Sequence, residues 1–200
     1  MAGKYFTKSG QSVIGGIDRN GNPKFAKLIY ENGALLTIPP ELAATFAGKE
    51  FFYTEAFTLA GTTDRKDYIF QTPNTDKWAH MNIIRGTGSA ITYFKIIEDT
   101  ELSSTDALTV FNNNRNDSTT NTAELFQVDA LGGTTDTGTK IFEINSGGSS
   151  NQSRSPMLGS YADEMFLKKD TKYRISFGTG TASNLCNLLL KWHEHENEAG

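Results

Sequence analysis

Apolar and polar side chains alternate with a period of two through much of this chain, most clearly between Trp78 and Glu98. Met81 and Ile83 alternate with His80, Asn82 and Ile84. Beyond Arg85-Gly86-Thr87-Gly88-Ser89, Phe94 and Ile96 alternate with Tyr93, Lys95 and Ile97. A period of two puts successive side chains on opposite faces of a strand, and the glycines supply the positive φ that a tight turn needs. The stretch predicts a hairpin with Met81, Ile83, Phe94 and Ile96 turned to the core. A slip of one residue would turn all four to solvent, so the register should be firm.

The same signal predicts strands over 51–60, 66–72, 107–111, 123–129, 140–145, 161–167, 172–177 and 185–194. Runs 25–30 and 34–38 flank Glu31-Asn32-Gly33, and an Asn-Gly pair between apolar runs is a strong hairpin signal. Residues 39–48 predict one short helix: Pro39 and Pro40 open it, Glu41 sits near its positive end, and Gly48 closes it. About ten short strands with turn signals roughly every 8–12 residues give an all-β sandwich or barrel. Residues 1–24 are polar and glycine-rich, with one apolar cluster, Val13-Ile14-Gly15-Gly16-Ile17. They predict an extended N-terminal arm, leaving 25–200 as the β domain. The strand over 51–60 carries bulk on both faces, Phe51, Tyr53, Phe57 and Leu59 against Phe52. Such a strand is central or lies at an interface. Phe51, Phe52, Tyr53 and Phe57 are therefore candidate oligomer-interface residues.

Composition narrows the function classes. The 200 residues are 37% hydrophobic, low for a globular chain, with Gly, Ser, Thr and Asn taking up the balance. The net charge of −4, with Lys and Arg scattered, gives no electrostatic footprint for nucleic acid. No apolar run approaches the ~20 residues of a membrane span. The first residues show no apolar secretory segment, so synthesis in the cytosol is expected. Cys186 is the one cysteine, which excludes an intrachain disulfide, and its apolar surroundings make it a small buried residue.

Little of the chemistry points to catalysis. Gly86-Thr87-Gly88 and Gly178-Thr179-Gly180 lack both a third glycine and a following helix, so neither is a phosphate cradle. Asp18-Arg19-Asn20-Gly21-Asn22-Pro23 resembles a calcium loop only superficially: Gly21 comes early, and Ile29 stands where the terminal Glu belongs. Trp192-His193-Glu194-His195-Glu196 puts two histidines on one strand face, which zinc could use. Zinc needs three or four ligands, and His80 is the only other histidine. The expectation is a charged strand end with Trp192 inward and Glu194 paired to an arginine, no metal, no cofactor and no catalytic residue. Trp78, Tyr93, Tyr161 and Trp192 could form a sugar-stacking platform, although strand aromatics more often fill cores. Two loops, 112–116 and 151–155, are dense in amides and hydroxyls with one arginine each. Asn112, Asn114, Arg115, Asn151 and Arg154 read as loop-bracing residues, with a ligand site as the alternative.

Several segments together carry a resemblance. Lys77-Trp78-Ala79-His80-Met81 precedes the central stretch, and 107–116, Ala-Leu-Thr-Val-Phe-Asn-Asn-Asn-Arg-Asn, follows it. Asn151-Gln152-Ser153-Arg154-Ser155 comes after a Gly-Gly, Thr171-Lys172-Tyr173 opens a late strand, and Trp192 to His195 gives Trp-x-Glu-His near the end. Over roughly 50–196 this set resembles the head decoration (capsid auxiliary) proteins among the small virion structural proteins of tailed bacteriophages. The resemblance implies a jelly-roll body, a homotrimer, and binding to the major capsid protein on the outer capsid surface after synthesis in the bacterial host cytoplasm. Within that expectation the arm is the anchor, and Tyr5, Phe6, Val13, Ile14 and Ile17 are its candidate capsid-binding residues. The alternative function is a phage fibre or lectin-like module that recognises a cell-surface glycan.

Overall fold

The structure is a computed structural model. It describes residues 3–6, 12–17, 23–25, 30–31, 34–35, 44–128, 137–146 and 165–196. The chain divides into two compact units, Met1–Ala43 and Ala44–Gly200.

In the first unit, β1 (Gly3–Phe6), β2 (Ser12–Ile17) and β3 (Pro23–Phe25) form an antiparallel sheet in that order. Tyr5 is opposite Val13, and Ile17 is opposite Pro23. Residues 1–24 therefore do not run as one extended arm. Pairing satisfies backbone groups that a lone strand would leave to solvent, and the division of the chain falls after Ala43. β4 (Tyr30–Glu31) and β5 (Ala34–Leu35) pair Tyr30 with Leu35 and Glu31 with Ala34, the register of a two-residue Asn-Gly connection. Tyr5, Phe6, Val13, Ile14 and Ile17 lie on β1 and β2.

The second unit opens with a helical turn at 44–46. Gly48 adopts φ +65°. Its N–H donates to Thr45 O at 3.0 Å and that of Lys49 to Ala44 O at 3.0 Å. This crossed pair of bonds around a left-handed glycine is how a helix stops, as Gly48 led one to expect; the helix's first residues, 39–43, lie outside the described ones.

The body follows as β6 (Glu50–Leu59), β7 (Arg65–Gln71), β8 (Lys77–Gly88), β9 (Thr92–Glu98), β10 (Asp106–Ala107), β11 (Phe111–Asn112), β12 (Glu124–Val128), β13 (Thr139–Ser146), β14 (Met165–Phe166), β15 (Lys172–Thr179) and β16 (Asn184–Glu196). One sheet has the order β11-β6-β16-β8-β14, the other β10-β12-β7-β15-β9-β13. Successive strands β6 to β9 alternate between the sheets, and so do β13 to β16. Each of the first four pairs antiparallel with one of the last four: β6 with β16, β7 with β15, β8 with β14 and β9 with β13. A long antiparallel ribbon rolled up so that its strands alternate between two sheets is a jelly roll. The fold is an all-β antiparallel sandwich of this kind.

Two local expectations are corrected by this topology. The central stretch is not a hairpin, because β8 and β9 belong to opposite sheets and the segment between them crosses from one to the other. The strand expected over 107–111 is split into β10 and β11, again in opposite sheets. Gly86 serves close packing and not a turn: a Cβ there would lie 2.1 Å from Phe177 Cζ, which comes from the facing sheet.

The core lies between the sheets. Phe70 meets Trp192 edge-on at 5.0 Å, and Phe57 meets Phe177 at 5.8 Å, in each case across the sandwich. Met81, Phe94 and Ile96 are buried in it as the alternation predicts. Ile84 joins them because the β8–β16 register shifts between Lys191 and Trp192, which pair with Ile83 and Met81 and leave Asn82 as an extra residue. The side chain of Ile83 lies outside the described residues.

Candidate functional site

The strand thought to be apolar on both faces has one inward face and one largely polar face. Along β6, Phe51, Tyr53 and Leu59 are buried, and Phe57 packs against the core. Of the four interface candidates only Phe52 points outward; Phe51, Tyr53 and Phe57 fill the sandwich. The bulk is needed inside because the opposite sheet presents Tyr68 and Phe177 to this strand. Phe52 instead packs on Phe111 of the edge strand β11, with ring centroids 5.7 Å apart, and the Arg115 guanidinium lies 5.0 Å over Phe111.

The amide-rich loop after β11 is tied to the start of β6. Asn112 is buried and donates to Gly48 O at 2.9 Å and Thr119 O at 3.0 Å, while its Oδ1 accepts the N–H of Asn114 at 2.9 Å. Asn114 Oδ1 accepts the N–H of Asn116 at 3.2 Å. Asn113 donates to the buried Glu50 carboxylate at 2.6 Å, and Lys191 lies 2.8 Å from the same group. Asn151 and Arg154 lie outside the described residues.

Segments that carry the resemblance, far apart in sequence, meet in this body. Trp192 faces Met81, and Glu194 faces Ala79, across the β16–β8 ladder. Trp192 is fully buried. Glu194 is not paired with an arginine: its carboxylate accepts the N–H of Ala123 at 2.9 Å, the N–H of Thr122 at 2.8 Å and the indole N–H of Trp192 at 3.2 Å. Thr171 accepts the N–H of Thr72 through its carbonyl at 3.0 Å and donates its own N–H to Thr72 Oγ1 at 2.9 Å. The Tyr173 hydroxyl accepts the N–H of Lys168 at 2.8 Å and donates to Glu98 at 3.0 Å.

On the outer face of the same ladder the chain's three histidines converge. β16 alternates strictly, with Leu190, Trp192 and Glu194 inward and Lys191, His193 and His195 outward. Register sets His193 directly opposite His80 on β8. One nitrogen from each of His80, His193 and His195 lies within 4.8 Å of the other two. His80 and His195 bring their Nε2 atoms to 2.8 Å. His193 Nδ1 lies 3.0 Å from Asn82 Oδ1, and His195 Nδ1 lies 2.6 Å from Glu196 O. The ring of Phe166 on β14 covers His80 with its centroid 4.0 Å away. The sequence supplied the i, i+2 pair on β16. The third member was not legible because it joins through a pairing 115 positions long.

Other candidates stay apart. Trp192 is in the core and Tyr93 lies on the other sheet, so these aromatics do not line up as one platform; Tyr161 is outside the described residues. Tyr93, 44% exposed, borders a concavity of about 580 Å3 on the outer face of β7, β15, β9 and β13, with Asp64, Lys95, Glu143 and Asn145 on its walls. Cys186 is buried, and burial pushes its thiol up to about 11, away from a reactive thiolate. No helix among the described residues is long and apolar enough to cross a membrane.

Comparison of the chain with protein-family models, with curated proteins and with solved structures finds no match in any of the three.

Proposed function

We propose that this chain is a non-enzymatic virion structural protein that decorates and stabilises a tailed-phage capsid from its outer surface, as a homotrimer bound to the major capsid protein. The observation that carries the reading is the convergence of the resembling segments. Trp192 to His195, Lys77 to Met81 and the loop beyond Phe111 are joined by the β16–β8 ladder, by Glu194 and by Glu50 into one packed seam of a jelly roll. Fold alone does not fix function, so the reading rests on those residues together with the two-unit organisation. A small N-terminal unit precedes the jelly-roll body in the chain, and the reading gives it the attachment role. Three such units on one trimer would raise the effective concentration at the capsid and make a modest single contact firm.

The test is co-sedimentation of the purified chain with capsids lacking it, together with light scattering of the free chain. Pelleting with the capsids and a trimer mass support the reading. A monomer at micromolar concentration that stays in the supernatant overturns it.

The second reading, a glycan-recognising fibre module, is favoured by the concavity beside Tyr93, where an exposed ring stands next to carboxylates and an amide. Rings of this kind stack on the apolar faces of sugars, with polar groups fixing orientation. Binding to a glycan array that is lost in Tyr93→Ala would support that reading.

A further inference from the structure

The geometry of the β8–β16 seam points to a binding site for one divalent transition-metal ion, held by the Nε2 atoms of His80, His193 and His195. This inference is independent of the capsid reading and goes against the expectation of a metal-free strand end.

Hydrogen-bond chemistry fixes which nitrogen carries the hydrogen in two of the rings. A carbonyl oxygen only accepts, so His195 Nδ1, 2.6 Å from Glu196 O, carries the hydrogen and the lone pair lies on Nε2, which faces His80. Asn82 turns its Nδ2 toward Glu50 Oε1 at 3.5 Å, which directs its Oδ1 to His193 Nδ1 at 3.0 Å. His193 Nδ1 thus also carries the hydrogen, which places the ring's lone pair on Nε2. Metal-binding histidines are commonly held this way, with the far ring nitrogen donating to a carbonyl oxygen. Asn82 owes its aim to the register shift in β8, a device that redirects a side chain at the cost of one ladder position.

The His80 and His195 Nε2 atoms stand 2.8 Å apart. Two imidazole nitrogens at that distance need a proton or a cation between them, because two lone pairs repel. A tetrahedral ion at 2.0–2.1 Å from each nitrogen would set them roughly 3.3 Å apart. One ring nitrogen from each histidine already lies within 4.8 Å of the other two, so small shifts of the half-buried His193 and His195 side chains that keep their Nδ1 contacts are enough to close the set. Phe166 walls the site over His80 and keeps water from that side. Three neutral imidazoles select a zinc-like ion over calcium or magnesium, which want oxygen ligands. Glu50 is held by Lys191 and Asn113 and touches Asn82 beside the site. A fourth position remains for water. The ion would cross-link the C-terminal end of β16 to β8 outside the core.

The test uses the full chain stripped with a chelator and titrated with Zn2+ alone, followed by calorimetry, with Co2+ substituted to read coordination from its visible spectrum. The expected result is one ion per chain, a tetrahedral Co2+ spectrum and a rise in Tm of roughly 5–10 °C at 100-fold excess over Kd. His195→Ala, at a half-exposed strand end, should keep the fold by circular dichroism and lose binding at least 100-fold. Asn82→Leu should keep all three ligands yet weaken binding roughly 10–100-fold, since it removes the partner that sets the His193 tautomer. Absence of saturable Zn2+ binding by the wild-type chain overturns the inference, and so does binding that survives in the folded His195→Ala variant.

Discussion

The carboxylate of Glu194, near the end of β16, accepts the backbone N–H of Ala123 at 2.9 Å, joining two points 71 positions apart in the sequence. The same group takes the N–H of Thr122 and the indole N–H of Trp192, and it is 3% exposed. It therefore holds the entry to β12 against the end of β16. Glu194→Ala leaves four donors, the Thr122 hydroxyl among them, without their acceptor in a largely buried place and should cost about 3–4 kcal/mol. In a domain of this size that lowers Tm by roughly 10 °C. Glu194→Gln keeps one acceptor oxygen and should lose about half as much. Thermal melts followed by circular dichroism measure both. An alanine variant within 2 °C of wild type would show that water replaces the carboxylate without penalty.

Gly86 and Phe177 make a close approach between the two sheets. A methyl at Gly86 would overlap the Phe177 ring, so Gly86→Ala should destabilise by about 1–3 kcal/mol. Phe177→Leu alone also costs stability by opening space in the core. The two changes together should cost less than their sum by at least about 1 kcal/mol, as neighbours that relieve one another do. Urea unfolding of the four proteins measures the coupling, and strict additivity would contradict this packing account.

Glu55 gives the sandwich a defined acid limb. Burial pushes its carboxyl up, but hydrogen bonds from Lys66, Tyr68 and Tyr53 and the charge of Lys66 outweigh that and hold it below its ordinary value of 4.5. The tyrosine hydroxyls donate at 2.7 Å and 2.8 Å, and burial with the nearby carboxylate raises both phenols. A carboxyl lowered by folding contributes stability that is present above its unfolded value and lost as pH falls through the folded one. Wild type should therefore lose stability on acidification below about 4.5, relative to Glu55→Gln. At pH 7 that variant should be weaker by about 1 kcal/mol, a figure kept small because the group is partly solvated. Urea titrations at pH 7 and pH 4 decide the matter. A difference between the two proteins that does not shrink at pH 4 would contradict it.

Much of this fold was legible in sequence because alternation and turn chemistry are local. The Asn-Gly register of β4 and β5, the stop at Gly48, and the inward Trp192, Met81, Phe94 and Ile96 all follow from neighbours a few residues away. What local pattern does not encode is which strand meets which. Gly86 reads as a turn glycine since nothing nearby announces Phe177 in the facing sheet. Phe51 and Tyr53 read as surplus bulk because their partners, Trp192 on the neighbouring strand and Tyr68 across the core, are distant in sequence. The histidine cluster stayed hidden for the same reason, with His80 joining only through long-range pairing.

The division at Ala43 sharpens where the chain should be cut. A chain beginning at Lys24 would sever β3 from its sheet, whereas one beginning at Ala44 removes the whole first unit. The shortened chain should keep its melting transition and its trimer mass, yet fail to pellet with capsids that lack the protein. If it decorated them as well as the full chain, attachment would lie on the body, and the outward pair Phe52 and Phe111 would be the first surface to mutate.

The capsid reading is tested most directly by electron cryomicroscopy of source particles made with and without this chain. The prediction is threefold-symmetric density, the size of three jelly rolls, standing on the outer capsid surface of the complete particles and missing from the others. Capsids identical in the two maps, with the difference confined to tail or fibre density, would contradict it.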